Sequence, residues 1–191
     1  IEIYTLSLHD ALPSWLQEKH GSSCVYEVHG ETVDVGSARE LAQIDRMNFQ
    51  IWACGLIGAK PREKKGADKG IDGYLYFYED NRSISKAVVQ VKSGHVKSGD
   101  IRDLKGTIQR ENVPIGIFIT LESPTKDMIQ EAVTAGFYTN SFSGSKHPVI
   151  QIYTIEDLFG GKRVDTPPTK SYHKQAEEIR KSDRDKQKKM F

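Results

Sequence analysis

Asp72, Gln90 and Lys92 are the residues whose types and spacing fit a chemical task. Asp72 follows a glycine-rich loop. Tyr74 to Tyr78 then form an apolar, aromatic run, residues 79–83 a polar turn, and a second apolar run ends in Gln90-Val91-Lys92. Two strand-like runs around a short Asp-Asn turn predict a β-hairpin. Centring the turn near Asn81 makes paired positions sum to about 163, which sets Asp72 opposite Val91. Gln90 and Lys92, two residues apart, share one face of the strand at roughly 7 Å spacing. A carboxylate, an amide oxygen and an ammonium therefore converge at one end of the ribbon. That trio suits metal-assisted phosphodiester cleavage. Asp72 and Gln90 would hold Mg²⁺ (or Mn²⁺), a hard cation content with few protein ligands. The metal would polarise the phosphate while Lys92 orients the nucleophile or offsets developing charge.

The spelling of these segments carries a resemblance. Gly66-Ala67-Asp68-Lys69-Gly70-Ile71-Asp72-Gly73 followed by Gln90-Val91-Lys92 resembles the Mrr-like branch of the PD-(D/E)xK nuclease superfamily, in its Q-x-K variant. From about Tyr26 to Pro168 the chain is also similar to the C-terminal nuclease-like domain of some bacterial amino-methylating DNA methyltransferases. The segments WACGLIGAK, RDLKGTIQRE, PIGIFITLESPTKDM, AGFY and QIYTIEDLFGGKRVDTPP carry that likeness. The resemblance implies an α/β fold with a restriction-endonuclease-like core, a mixed central β-sheet flanked by helices. It makes Asp72, Gln90 and Lys92 the active-site positions. Gln50 is the counterpart of a helical glutamate that serves as an extra metal ligand in the superfamily. The expected partners are DNA, an upstream methyltransferase domain and a second copy of the chain as a homodimer.

The rest of the chain must position these residues. Residues 1–23 show no clear period; IYTLSLHDALPS resembles adapter sequence translated at the ends of metagenomic reading frames. They are set aside as a lead-in or a remnant of an upstream domain. Residues 24–160 form the nuclease-like domain. It begins with a short strand or extended lead-in over 24–35. Ser37, with Glu40 completing a capping box, starts a helix running to about Ile57 and stopped by Gly58. Its two apolar stripes, one with Leu41, Ile44, Met47, Ile51 and Cys54 and one with Phe49, Trp52 and Leu56, predict burial on two sides. After the hairpin, Ser98 or Asp100 caps a helix to about Arg110. Residues 113–121 are a strand covered on both faces. Pro124-Thr125 opens a helix with Met128, Ile129 and Ala132 inward. Residues 139–148 read as a loop, 149–153 as the last strand, and Thr154 caps a short helix ended by Gly160-Gly161. Residues 161–191 lack an apolar stripe and read as a polar basic tail.

Composition bounds the function. At 191 residues, 37% hydrophobic and 28% charged, the chain suits one core. No apolar run approaches the ~20 residues of a membrane span, and no signal peptide is legible, so a cytoplasmic setting is expected. Cys24 and Cys54 offer neither a disulfide framework nor zinc spacing, and the six histidines show no paired metal spacing. GxxxxGK(S/T), GxGxxG and GxSxG signatures are absent, which removes support for NTPase, dinucleotide-binding and serine-hydrolase readings. The amino-methyltransferase D/N/S-P-P-aromatic motif is absent too. Residues 161–191 hold 10 Lys and Arg against 5 Asp and Glu, leaving 17 against 21 for residues 1–160. The globular part is thus slightly acidic overall. Basic residues nevertheless gather locally, as Lys60, Arg62, Lys64, Lys65 and Lys69 before Asp72, and Lys97 and Arg102 after Lys92. These are the candidate DNA-binding residues.

Two functions emerge. One is a metal-dependent DNA endonuclease domain of a restriction or restriction-modification system. The other is a catalytically silent DNA-binding or structural module appended to a methyltransferase. Phosphate contacts position a duplex without reading its bases. Replacing Lys64, Lys65 and Lys69 together with Gln is therefore expected to weaken DNA binding about equally across sequences. The slope of log affinity against log salt should fall by up to roughly three, measurable by fluorescence anisotropy across a salt series.

Overall fold

A computed structural model describes residues 32–62, 70–80 and 83–169. Lys64, Lys65 and Lys69, the lead-in before residue 32, the tip of the hairpin turn and the tail beyond 169 lie outside the described residues. Among the described residues no helix is long and apolar enough to cross a membrane.

The centre is a five-stranded sheet in the order β1-β2-β3-β4-β7. β1 (Lys60–Pro61), β2 (Gly73–Tyr78) and β3 (Ile84–Lys92) pair antiparallel, while β3, β4 (Ile115–Thr120) and β7 (Ile150–Thr154) run parallel. Parallel neighbours require crossovers, and helices supply them. α3 (Ser98–Glu111) joins β3 to β4. α4 (Lys126–Thr134) and a small hairpin, β5 (Phe137–Thr139) with β6 (Lys146–Pro148), join β4 to β7. α1 (Val35–Ile44) and α2 (Arg46–Leu56) precede the sheet, and α5 (Ile155–Phe159) follows it.

The period-2 alternation of the strands sorts side chains into two cores. Ala87, Val89 and Val91 of β3 join Leu75, Phe77, Ile115, Ile117 and Ile119 beneath Phe49, Ala53 and Cys54 of α2. Val88 and Phe118 face the other way, against Ile101, Leu104 and Ile108 of α3 and Met128 and Ala132 of α4. The sheet is thus a middle layer with helices on both sides. Every residue of β4 is buried, as its continuous apolar run requires. Gly116 lets α3 lie close: a Cβ there would sit 2.5 Å from Ile108 Cδ1 and 3.1 Å from Leu104 Cγ.

Several expectations need correction. The long first helix is two helices. Asp45 adopts extended backbone (φ −145°), ends α1, and accepts Asn48 N–H to cap α2. The first helix starts earlier than expected, with Asp34 as its cap; Ser37 N–H donates to Asp34 Oδ1 at 2.7 Å, and Ser37 Oγ accepts from the Asp34 N–H. Around the break, Ile44, Met47 and Ile51 are 84%, 48% and 43% exposed, while Leu41 and Cys54 of the same expected stripe pack into the core, so the stripe is not buried as a whole. Ile129 is also exposed, although Met128 and Ala132 point inward as expected.

The stretch read as a loop over 139–148 contains β6 and a dense polar network. Buried Asn140 donates to the Glu79 carbonyl and accepts from Phe142 and Ser143 N–H groups. Tyr138 donates its hydroxyl to Glu79, and burial together with that carboxylate pushes the phenol up to about 12. His147, 6% exposed, bonds Asp165 through Nδ1 and Ser145 through Nε2, each at 2.7 Å. Beyond Gly160 the chain remains on the fold through Thr169, which bridges Phe77, while Pro168 accepts the Tyr78 N–H.

Because the Gly116 position has no room, Gly116→Ala should cost about 1–3 kcal/mol in denaturant unfolding. Adding Ile108→Val removes the nearest methyl and should recover part of that loss.

Candidate functional site

The site is built where β2 begins and β3 ends. Gly70, at φ +71°, occupies the left-handed region that glycine enters without strain. It turns the chain so that Asp72 arrives in line with the sheet. The Asp72 N–H donates to the Val89 carbonyl, and its carbonyl accepts from Arg62 N–H. Gly73 pairs with Val89 and Tyr78 with Ile84, so paired positions sum to 162 and Asp72 falls level with Gln90. The expected pairing with Val91 is one residue off, because the connection over 79–83 holds an odd number of residues. The convergence survives the shift. Val91 instead donates its backbone N–H to Asp72 Oδ2 at 2.7 Å, a charge-assisted bond that continues the ladder with a carboxylate.

Gln90 and Lys92 alternate with Val89 and Val91, so they share the α3 side of the sheet with Val88. Gln90 is 6% exposed, and among the described residues its Oε1 has no hydrogen-bond partner. Gly70 packs against it; a Cβ there would meet Gln90 Nε2 at 3.3 Å. The Lys92 ammonium lies 3.8 Å from Asp100 Oδ1, with the two side chains 32% and 15% exposed. Asp100 is itself fixed, since its Oδ2 accepts Lys97 N–H at 2.9 Å in the first turn of α3. A pair this exposed to solvent is worth about 1 kcal/mol or less, but it sets where the ammonium sits.

The remaining expected residues divide by position. Lys60 is exposed on β1, and Arg62 follows it, part-buried, with Nη1 buried and lacking a hydrogen-bond partner among the described residues. Lys97 is exposed before α3. Arg102, one turn on, contacts Ser98 Oγ and Glu131 Oε2, each at 3.4 Å. Lys60 and Arg62 therefore stand on the strand beside Asp72 and Lys97 adjoins Asp100, while Arg102 is engaged with Glu131. Gln50 is part-buried on α2, which packs on the face opposite Gln90 and Lys92.

Asp100 escaped the sequence reading as a site residue. Its only legible signal was a cap position eight residues after Lys92, and caps are ordinarily acidic for local reasons. Cys54 was also missed. Its Sγ lies 2.8 Å from where a Gly73 Cβ would be, so α2 seats directly on the turn that delivers Asp72. Burial, helped by the Asp72 charge, pushes the thiol up to about 12.

The arrangement offers one carboxylate with an oxygen committed to a backbone amide, one neutral buried amide, and one lysine with an internal counter-ion. Among the described residues no three His, Cys, Asp or Glu side chains gather into a metal-binding group. Mg²⁺ sites draw on one or two carboxylates and substrate phosphates. This donor set is thin for a resident ion.

Fold and site together define a restriction-endonuclease-like domain. Residues 57–159 match the family described as NACHT-associated inactive Restriction Endonuclease 1, and the chain belongs to that family. No curated protein matches the chain. Among solved structures it is similar to MspJI restriction endonuclease in complex with a 27-mer oligonucleotide, at 10% identity and a TM-score of 0.45. The match covers 74% of this chain and 34% of that one, so the chain spans about a third of that enzyme's length.

The seat of α2 on the Asp72 turn can be checked through its thiol. In a Cys24→Ser background, Ellman's reagent at pH 8 should label Cys54 about a hundredfold or more slower than an unperturbed thiol, and fully after unfolding. Rapid native labelling would contradict this packing.

Proposed function

We propose that this domain is a catalytically silent nucleic-acid-binding module that keeps the restriction-endonuclease fold. One observation carries the reading: the Lys92 ammonium is held by Asp100 while Gln90 stands, neutral and buried, beside Asp72. An active centre of this kind works best with two anionic oxygens on the metal and an ammonium available to developing charge. Here Gln90 brings an amide in place of a second carboxylate, and Asp100 lies 3.8 Å from the lysine's ammonium. The description of the family as inactive supports the same reading. Duplex DNA is the expected ligand, held through Lys60, Arg62 and Lys97 with Lys64, Lys65 and Lys69 adjoining in sequence. Contacts of that kind bind phosphate rather than read bases. The family description also supports work alongside a NACHT domain. The methyltransferase partner, the homodimer and the Mrr-like affiliation rest on the sequence resemblance, as does a cytoplasmic setting on composition.

A second reading has its own observation. Gln90 Oε1 is buried without a hydrogen-bond partner among the described residues, and such a group ordinarily finds one. Mg²⁺ or Mn²⁺ held by Asp72 and Gln90 would supply it, and the domain would then be an endonuclease acting through Asp72, Gln90 and Lys92.

Plasmid nicking separates the two. With Mg²⁺ or Mn²⁺, on methylated and unmethylated plasmid, the parent should nick no faster than Lys92→Ala while binding DNA within a few-fold of it. Nicking by the parent that falls about 10²–10³-fold in Lys92→Ala would restore the endonuclease reading.

A further inference from the structure

The sheet has a second edge, at the opposite end of the strand order from β1. β7 forms it, and Ile150–Thr154 carries neither a charge nor a proline. Natural edge strands are ordinarily blunted by such residues or covered. The Gly116 N–H donates to the Val149 carbonyl, with Gly116 in register with Ile150. In a parallel ladder this turns the backbone groups of residues 149, 151 and 153 toward β4, and those of Ile150 and Ile152 outward. Among the described residues those outward groups have no hydrogen-bond partner. The chain after α5 could have covered them, yet it bonds the Gln151 side chain instead. The Asp165 N–H donates to Gln151 Oε1 at 3.0 Å, and the Asp165 carbonyl accepts from Nε2 at 2.7 Å. That segment therefore lies against a face of the sheet and leaves its edge open. A groove of about 600 Å³ follows the edge, lined by Ile150, Gln151, Ile152 and Tyr153 in succession. Side chains along a strand alternate between faces, so consecutive residues share one groove only along the backbone edge. One wall of the groove is apolar: Ile129 and Val133 of α4 and Phe137 line it, 49%, 72% and 68% exposed.

We propose that the β7 edge is a docking site for an extended segment of a partner protein. The segment adds one more strand to the sheet and lays alternate apolar side chains against Ile129, Val133 and Phe137. This surface goes beyond the nucleic-acid reading and does not depend on it. Outward main-chain donors and acceptors beside an apolar wall select a strand as the occupant. Strand addition takes its affinity from main-chain hydrogen bonds and its specificity from pockets for alternate side chains. Charge narrows the partner further. Of the ionic side chains lining the groove, Lys162 pairs with Asp157, and Asp165 pairs with His147. Arg163 lines it too, exposed and without an ion pair among the described residues. The groove thus carries one unanswered positive charge. The segment that fits it is apolar at alternate positions and brings an acid to Arg163. A second copy of this chain would bring the same unanswered cation instead, and like charges across an interface oppose association.

The test begins with short random peptides displayed on phage and selected on the immobilised full chain. The enriched peptide, labelled with fluorescein, is then titrated by anisotropy. It should alternate apolar residues and carry an acid. Val133→Glu changes a largely exposed position and should melt close to the parent, yet weaken the peptide about tenfold or more. Arg163→Glu should weaken it about threefold or more. Backbone pairing has its own readout, because an added strand offers the N–H groups of alternate residues to β7. Peptides N-methylated at the two alternate sets of residues should therefore differ: one set loses binding about tenfold or more, and the other stays within about threefold. The proposal is overturned by no enrichment over the bare support, by equal effects of the two methylated sets, or by a peptide that binds Val133→Glu like the parent. A parent that sediments as a dimer and becomes monomeric in Val133→Glu also overturns it, since a second copy then fills the edge.

Discussion

β3 lies between an antiparallel neighbour and a parallel one, with helices above and below. A strand placed so has no solvent to absorb an unmet polar group, and an unpaired one costs about 1–3 kcal/mol. The demand is met at Val91, whose N–H would be orphaned because β2 begins only at Gly73; the Asp72 carboxylate takes it. That bond fixes the glycine turn, and through Gly73 it fixes the approach of α2 and Cys54. It also uses part of the acid's capacity for binding anything else. The same carboxylate that would ligate a metal is employed in closing the sheet.

Lys92 and Gln90 follow the same logic at the end of the strand. Lys92 reaches the edge of the core and finds Asp100, which α3 presents because its first turn needs an acid there. Gln90 stays within, its oxygen without a hydrogen-bond partner among the described residues. Asp72, Gln90 and Lys92 thus stand at one end of the sheet, Asp72 and Lys92 with polar partners drawn from within the fold. The sheet and its helices depend on apolar alternation and not on the reactivity of three side chains.

Much of the fold is legible in the sequence. The strands β2, β3 and β4 announce themselves by alternation or continuous apolarity, and period 2 alone puts Gln90 and Lys92 on one face. The pairing came out one residue off because nothing in residues 79–83 states how many of them the turn consumes. The break at Asp45 was hidden because an Asp among Ile44, Arg46 and Met47 looks like an ordinary exposed helical position. It is a cap serving two helices at once, which only tertiary packing decides. The β5–β6 hairpin was hidden because its order comes from polar bonds of Asn140, Tyr138 and His147 to partners far along the chain. The Lys92–Asp100 contact has the same origin: two residues on different elements, brought together by the crossover.

The central claim is that the Asp72–Gln90 pair does not hold a divalent ion in the resting protein. Calorimetric titration of Mn²⁺ into the full chain tests it directly. The account predicts no saturable site in the parent and the appearance of one in Gln90→Glu, where a second anionic oxygen joins Asp72. Stoichiometric binding by the parent that disappears in Asp72→Asn would contradict it.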